Sequence, residues 1–102
     1  FKKGDSIVVS GAAGAVGSVV VQYCKLLGAS KVIGLAGSDE KVAYLKKIGA
    51  DVAINYKASD YKQQLDEATK DYVDCYFDNV GGETLDYMLT RVKKYGRIAC
   101  CG

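Results

Sequence analysis

Apolar positions along the chain alternate between two rhythms. Residues 6–10 (SIVVS) form a short β-branched run with Ile7, Val8 and Val9, which reads as a strand. From there Val16, Val19, Val20, Tyr23, Cys24 and Leu27 recur at steps of three and four, which predicts a helix that buries this stripe. Gly28 stops it, because glycine tolerates the left-handed conformation past a helix end. Lys31–Ala36 (KVIGLA) is a second strand. Ser38 then reads as an N-cap, with Asp39 and Glu40 in the first turn, where the helix dipole favours acids. Val42, Leu45 and Ile48 mark the buried side of that helix, Lys46 and Lys47 its last turn and Gly49 its end.

The pattern repeats. Residues 51–56 predict a third strand, and residues 60–70 a more polar helix with Tyr61, Leu65 and Ala68 inward. Val73–Asp78 (VDCYFD) is a fourth strand. After Gly81 and Gly82 comes a helix with Leu85, Met88, Leu89 and Val92 inward, closed by Lys93, Lys94 and Gly96. Residues 97–101 are a fifth strand. Five strands alternating with four helices predict an α/β fold, a Rossmann-type doubly wound parallel sheet with strand order 3-2-1-4-5.

Composition adds boundaries to this picture. A chain of 102 residues is enough for one domain, 1–102, and too short for two. Its 14 basic and 12 acidic side chains nearly balance, without the clustered basic excess of a nucleic-acid-binding surface. No stretch approaches the ~20 apolar residues of a membrane span. The four cysteines form no C-x-x-C pair and there is no histidine, so no zinc site is expected from this chain. Cys24, Cys75, Cys100 and Cys101 read as reduced thiols of a cytoplasmic protein, with Cys100 and Cys101 on opposite faces of the last strand. Phe1 at the start and a strand at the end lead to the expectation of a piece of a longer protein.

The chemistry concentrates after the first strand, in Ser10-Gly-Ala-Ala-Gly-Ala-Val-Gly-Ser18. A helix N-terminus leaves backbone N–H groups unpaired and carries partial positive charge, so it attracts pyrophosphate. Gly14 is where backbone and ligand would approach most closely, and Gly17 permits close packing of helix on strand. The dinucleotide fingerprint G-x-G-x-x-G is matched with Ala12 in the first glycine place. A purely structural turn is the alternative, and the strand before and helix after favour the nucleotide. The second strand ends at Ala36 and Gly37, where an NAD site usually places an acid for the ribose. A methyltransferase with a Rossmann core would usually want that acid as well. Asp39 is the nearest acid and most simply complements the helix dipole. Lys41 could meet a 2′-phosphate, helped by the Ser38 hydroxyl, or could be an ordinary solvated lysine. This pattern favours NADP and keeps NAD as the alternative.

Five segments together resemble a known family: AAGAVGSVV (12–20), AGSDEKVAYL (36–45), INYK (54–57), YFDNVGGETLD (76–86) and KKYGRIACCG (93–102). They are similar to the nucleotide-binding domain of zinc-independent medium-chain dehydrogenases/reductases, in the NADPH-dependent branch of alkenal double-bond and prostaglandin reductases. The resemblance spans nearly the whole chain, and YFDNVGG is its most specific piece. It implies NADPH held by Gly14, Ala15, Val16, Gly17 and Ser18, with Lys41 at the 2′-phosphate and Tyr56 near the adenosine end. It also implies Asn79 reaching toward the nicotinamide half, with Cys101 and Gly102 beginning a loop beside it. Gly11 departs from the family's usual Ala, and a smaller residue is expected to be tolerated there.

The implied reaction is hydride transfer to the β-carbon of α,β-unsaturated aldehydes or ketones, without a metal. The small-molecule enone or enal pocket, the general acid and a last sheet strand would lie outside these residues. The implied full-length protein is a cytoplasmic homodimer, and no catalytic residue is assigned in this chain. Asp78 reads as an acid organising the turn after its strand, more simply than as a base. A neighbouring quinone reductase and a non-catalytic reductase-like module are the competing readings.

Overall fold

The computed structural model describes residues 2–100, the side chain of Cys100 apart. Five strands and four helices alternate: β1 Ser6–Val9, α1 Ala15–Leu26, β2 Lys31–Ala36, α2 Asp39–Lys47, β3 Val52–Asn55, α3 Tyr61–Ala68, β4 Val73–Asp78, α4 Gly82–Met88 and β5 Val92–Cys100. The strands form one sheet of order β3-β2-β1-β4-β5, with every pairing parallel. This is the expected doubly wound architecture. Among the described residues no helix is long and apolar enough to cross a membrane.

Alternation along β1 divides the core in two. Ile7 and Val9 face a layer containing Val21 and Cys24 of α1 and Leu45 of α2. Val8 faces the opposite layer, with Leu65 of α3 and Met88 of α4. Parallel strands covered on both faces read as continuous apolar runs, which is why β1 and β2 were visible in the sequence. α2 buries Leu45 with Val42 and Ile48 beside it, and α3 packs Tyr61, Leu65 and Ala68, as their spacing predicts.

Two expectations are corrected. The first is the buried face of α1. Gly17, Val21 and Cys24 are buried, while Val16, Val19 and Tyr23 are more than half exposed. The helix carries apolar residues almost all round, so periodicity alone does not choose a face. Gly17 chooses it. A Cβ there would stand 2.7 Å from Ala12 Cα and closer still to the Gly11 carbonyl oxygen, so the helix rests on the turn along its glycine side.

The second is the end of the chain. α4 stops at Met88, Leu89 is exposed, and Lys93, Lys94 and Gly96 belong to β5 rather than to a helix terminus. Val73 pairs with Val92 and Cys75 with Arg97, so residues 93–96 bulge from the ladder. Lys93 Nζ sits 3.1 Å from Asp74 Oδ1, and a Cβ on Gly96 would meet Asp74 O at 2.7 Å. A Lys-Lys-x-Gly string serves a bulged edge strand as well as a helix end, and only the sheet partner distinguishes them.

Candidate cofactor site

All five strands run the same way, so their C-terminal ends share one edge. The order reverses between β1 and β4, which is where doubly wound sheets open a crevice. The turn after β1 forms one wall. Ala12 N donates to Leu35 O at 2.9 Å and Ser10 N to Phe77 O at 3.0 Å, fastening the turn to the strands on either side. Gly11 has φ +59, and its carbonyl accepts Gly14 N at 3.1 Å. A Cβ on Gly11 would lie 3.0 Å from Asn79 Cβ. Glycine is accommodated here, as expected, and both the left-handed backbone and the neighbouring turn ask for it.

Gly14, Ala15 and Val16 are exposed, and Ser18 half-exposed, at the start of α1. Gly14 is the N-cap, with φ −75 and ψ 175, a conformation open to any residue. A Cβ there would touch only Gly11 O, at 3.4 Å. The protein's own packing thus asks little of Gly14, and what its missing side chain leaves open is the space above the turn. The helix has no side-chain cap and no acid in its first turn. Among the described residues nothing accepts from the amides of Ala15, Val16 or Gly17.

The next helix along the edge is finished differently. Ser38 Oγ accepts Lys41 N at 3.2 Å, which caps α2. Lys41 is exposed, and its ammonium has no ion-pair partner among the described residues. Tyr56, just past β3, lays its ring on Gly37: a Cβ on Gly37 would be 3.1 Å from Tyr56 Oη. Ser38, Lys41 and Tyr56 therefore gather at the ends of β2 and β3.

The turn after β4 forms the other wall. Asn79 N donates to Ser10 Oγ and Asn79 Nδ2 to Ser10 O, each at 2.9 Å, so this side chain holds the first wall. Asp78, 2% exposed, has the organising role expected of it. Its Oδ1 accepts from Tyr76 Oη at 2.6 Å, Gly81 N at 3.1 Å and Ser10 Oγ at 3.2 Å. Burial pushes the Asp78 carboxyl up, but these hydrogen bonds, with one from the Val80 amide, outweigh it and hold the group below its ordinary value. Ser10 is the residue that sequence reasoning missed. Its signal was a polar residue closing an apolar run, repeated by Asp78 after β4. Cys101 and Gly102 lie outside the described residues.

A family model described as zinc-binding dehydrogenase matches residues 15–102. The chain belongs to this family. Despite the family's name, no group of three His, Cys, Asp or Glu side chains that could hold a metal occurs among the described residues. The chain is 58% identical over 102 residues to prostaglandin reductase 1 of Bos taurus, covering 99% of this chain and 31% of that protein. It is 52% identical over 106 residues to the NADP(+)-dependent 2-alkenal reductase of Nicotiana tabacum, covering 99% of this chain and 30% of that protein. A crystal structure of CurA from Vibrio vulnificus in complex with NADPH superposes with a TM-score of 0.94 at 43% identity, covering 100% of this chain and 30% of that one. The chain thus spans about a third of the length of the curated relatives it matches.

Proposed function

We propose that these residues form the NADPH-binding domain of a reductase that saturates the carbon–carbon double bond of α,β-unsaturated aldehydes or ketones. The observation that carries the reading is the open N-terminus of α1, lying over a glycine that the fold itself hardly requires. The cofactor supplies a hydride for the β-carbon of the substrate. The chain's residues do the holding. The amides of Ala15, Val16 and Gly17 present donors to a pyrophosphate, with the Ser18 hydroxyl beside them. Ser38, Lys41 and Tyr56 form the adenosine end, where the ammonium of Lys41 answers the charge of a 2′-phosphate. Asn79 braces the crevice on the nicotinamide side.

Similarity to an alkenal reductase and a prostaglandin reductase over 99% of the chain supports the substrate class. The substrate pocket and proton donor would come from further residues of a longer polypeptide. The test is a fluorescence titration with NADPH and NADH, with and without Lys41→Ala. The variant should lose roughly tenfold in NADPH affinity and little in NADH affinity. Unchanged NADPH affinity would remove Lys41 from the site. Turnover of an enone against a quinone then decides the substrate class, and NADPH binding without either turnover would leave only a binding module.

A further inference from the structure

The end of β3 carries a contact that bears on which form of the cofactor is accepted. Asn55 is the last residue of that strand. Its Oδ1 accepts the backbone N–H of Lys57 at 2.9 Å. That donor settles which way the amide faces, because only the oxygen can accept it. Nδ2 is left to donate, and it does so to Asp39 Oδ1 at 3.1 Å. Asp39 opens α2, flanked by Ser38 and two residues before Lys41. One side chain thus shapes the turn carrying Tyr56 and also ties down the acid nearest the end of β2.

We propose that Asn55 is a specificity-determining residue: by holding the Asp39 carboxylate to the end of β3, it makes the adenosine end accept a 2′-phosphate. The inference rests on the reading that the start of α2 faces that phosphate. A carboxylate freed at this place acts in two opposite ways. It repels a phosphate by like charge. It also accepts a hydrogen bond from a ribose 2′-hydroxyl, the contact by which NAD sites use an acid near the end of the second strand. Asn55 occupies Asp39 Oδ1 and fixes the carboxylate's position, which weakens both effects. Glu40, the other acid of the turn, has no such restraint among the described residues. It therefore supplies a constant background that substitutions at 55 do not alter.

The experiment is titration of the protein with NADPH and with NADH, comparing Asn55→Ala, Asn55→Asp and the double variant Asn55→Ala/Asp39→Asn. Asn55→Ala is expected to weaken NADPH about three- to tenfold while NADH binding holds or tightens. Asn55→Asp keeps an acceptor for the Lys57 amide but loses the donor and adds a charge, so it should weaken NADPH further. Adding Asp39→Asn to Asn55→Ala should restore NADPH binding. Equal weakening of both cofactors by Asn55→Ala would show a purely structural role for the turn and overturn the proposal, as would no change in either. Lys41→Ala in the same series separates the two readings. If it weakens NADPH while Asn55→Ala moves neither cofactor, the site stands and this inference falls. If Lys41→Ala is silent while the Asn55 variants shift the two cofactors in opposite directions, Asn55 keeps its role and Lys41 loses its place.

Discussion

The N-terminus of α2 is finished by its own residues, whereas that of α1 is left bare. At α2 the Ser38 hydroxyl takes the Lys41 amide, and Asp39 and Glu40 offset the positive end of the helix. At α1 there is no capping side chain and no acid, and the cap position is a glycine. Both helices rise from the same edge of the sheet and pack on the same face. Their difference is therefore not one of fold. A helix end that the protein completes for itself has little to offer an anion, and one left incomplete beside a small-residue turn has donors to spare.

Substitutions at the turn should break this contrast most forcefully. Gly17→Ala pushes a methyl into Gly11 and Ala12 and lifts α1 from its seat. A loss of about 1–3 kcal/mol in urea denaturation is expected, with cofactor binding lost alongside. Gly14→Ala meets no such obstacle, so its stability should change by less than about 1 kcal/mol. Its NADPH affinity should nonetheless fall steeply in a titration. A Gly14→Ala variant that binds like the parent would show that the space above this glycine is not used.

A second pair exchanges the characters of the two helix ends. Ala15→Asp gives α1 the acid that α2 already has. The helix should gain a few tenths of a kcal/mol while NADPH affinity falls about tenfold or more, because a carboxylate would occupy the place proposed for the anion. Ser38→Ala opens α2 in turn and should lower the unfolding free energy by about 1 kcal/mol. If Ala15→Asp leaves affinity intact, the bare end of α1 does not hold the pyrophosphate.

The smallest effect is the pH dependence that Asp78 contributes, read on acidification. Its carboxyl titrates below its ordinary value in the folded chain and at that value when unfolded. The stabilisation is thus complete above the ordinary carboxylate range and lost as pH falls through the depressed value. Asp74 shifts the same way, first through the Ser6 amide that donates to it and then through Lys93. Denaturation midpoints followed below about pH 4 should fall less steeply in Asp78→Asn than in the parent. Equal slopes would mean that Asp78 is not held as described.

What was legible in the sequence follows from the physics of a covered parallel sheet. Strands such as KVIGLA are apolar from their second residue on, and the helices between them are bounded by glycines and charges, so element order and topology could be read directly. The inward face of α1 could not, because Val16, Val19, Val20 and Val21 surround the helix and a close contact at Gly17 decides between them. The bulge at 93–96 was hidden because its lysines carry the signature of a helix end, while Asp74, which holds Lys93, lies on another strand. Around the candidate site, the glycine turn, the close packing at Gly17 and the cap at Ser38 were readable from local rules. The fastening of one wall to the other through Ser10, Asp78 and Asn79 was not, because it joins residues nearly seventy positions apart.

The bare first turn of α1 also makes the site report on itself. Amides that lack an acceptor in the protein exchange their hydrogens freely with solvent, whereas those further along the helix are protected by its own carbonyls. Ala15, Val16 and Gly17 should therefore take up deuterium quickly in the empty protein and slowly once an anion sits on them. Isotope uptake at three consecutive positions would then measure occupancy without a label on the cofactor, and without knowledge of the substrate.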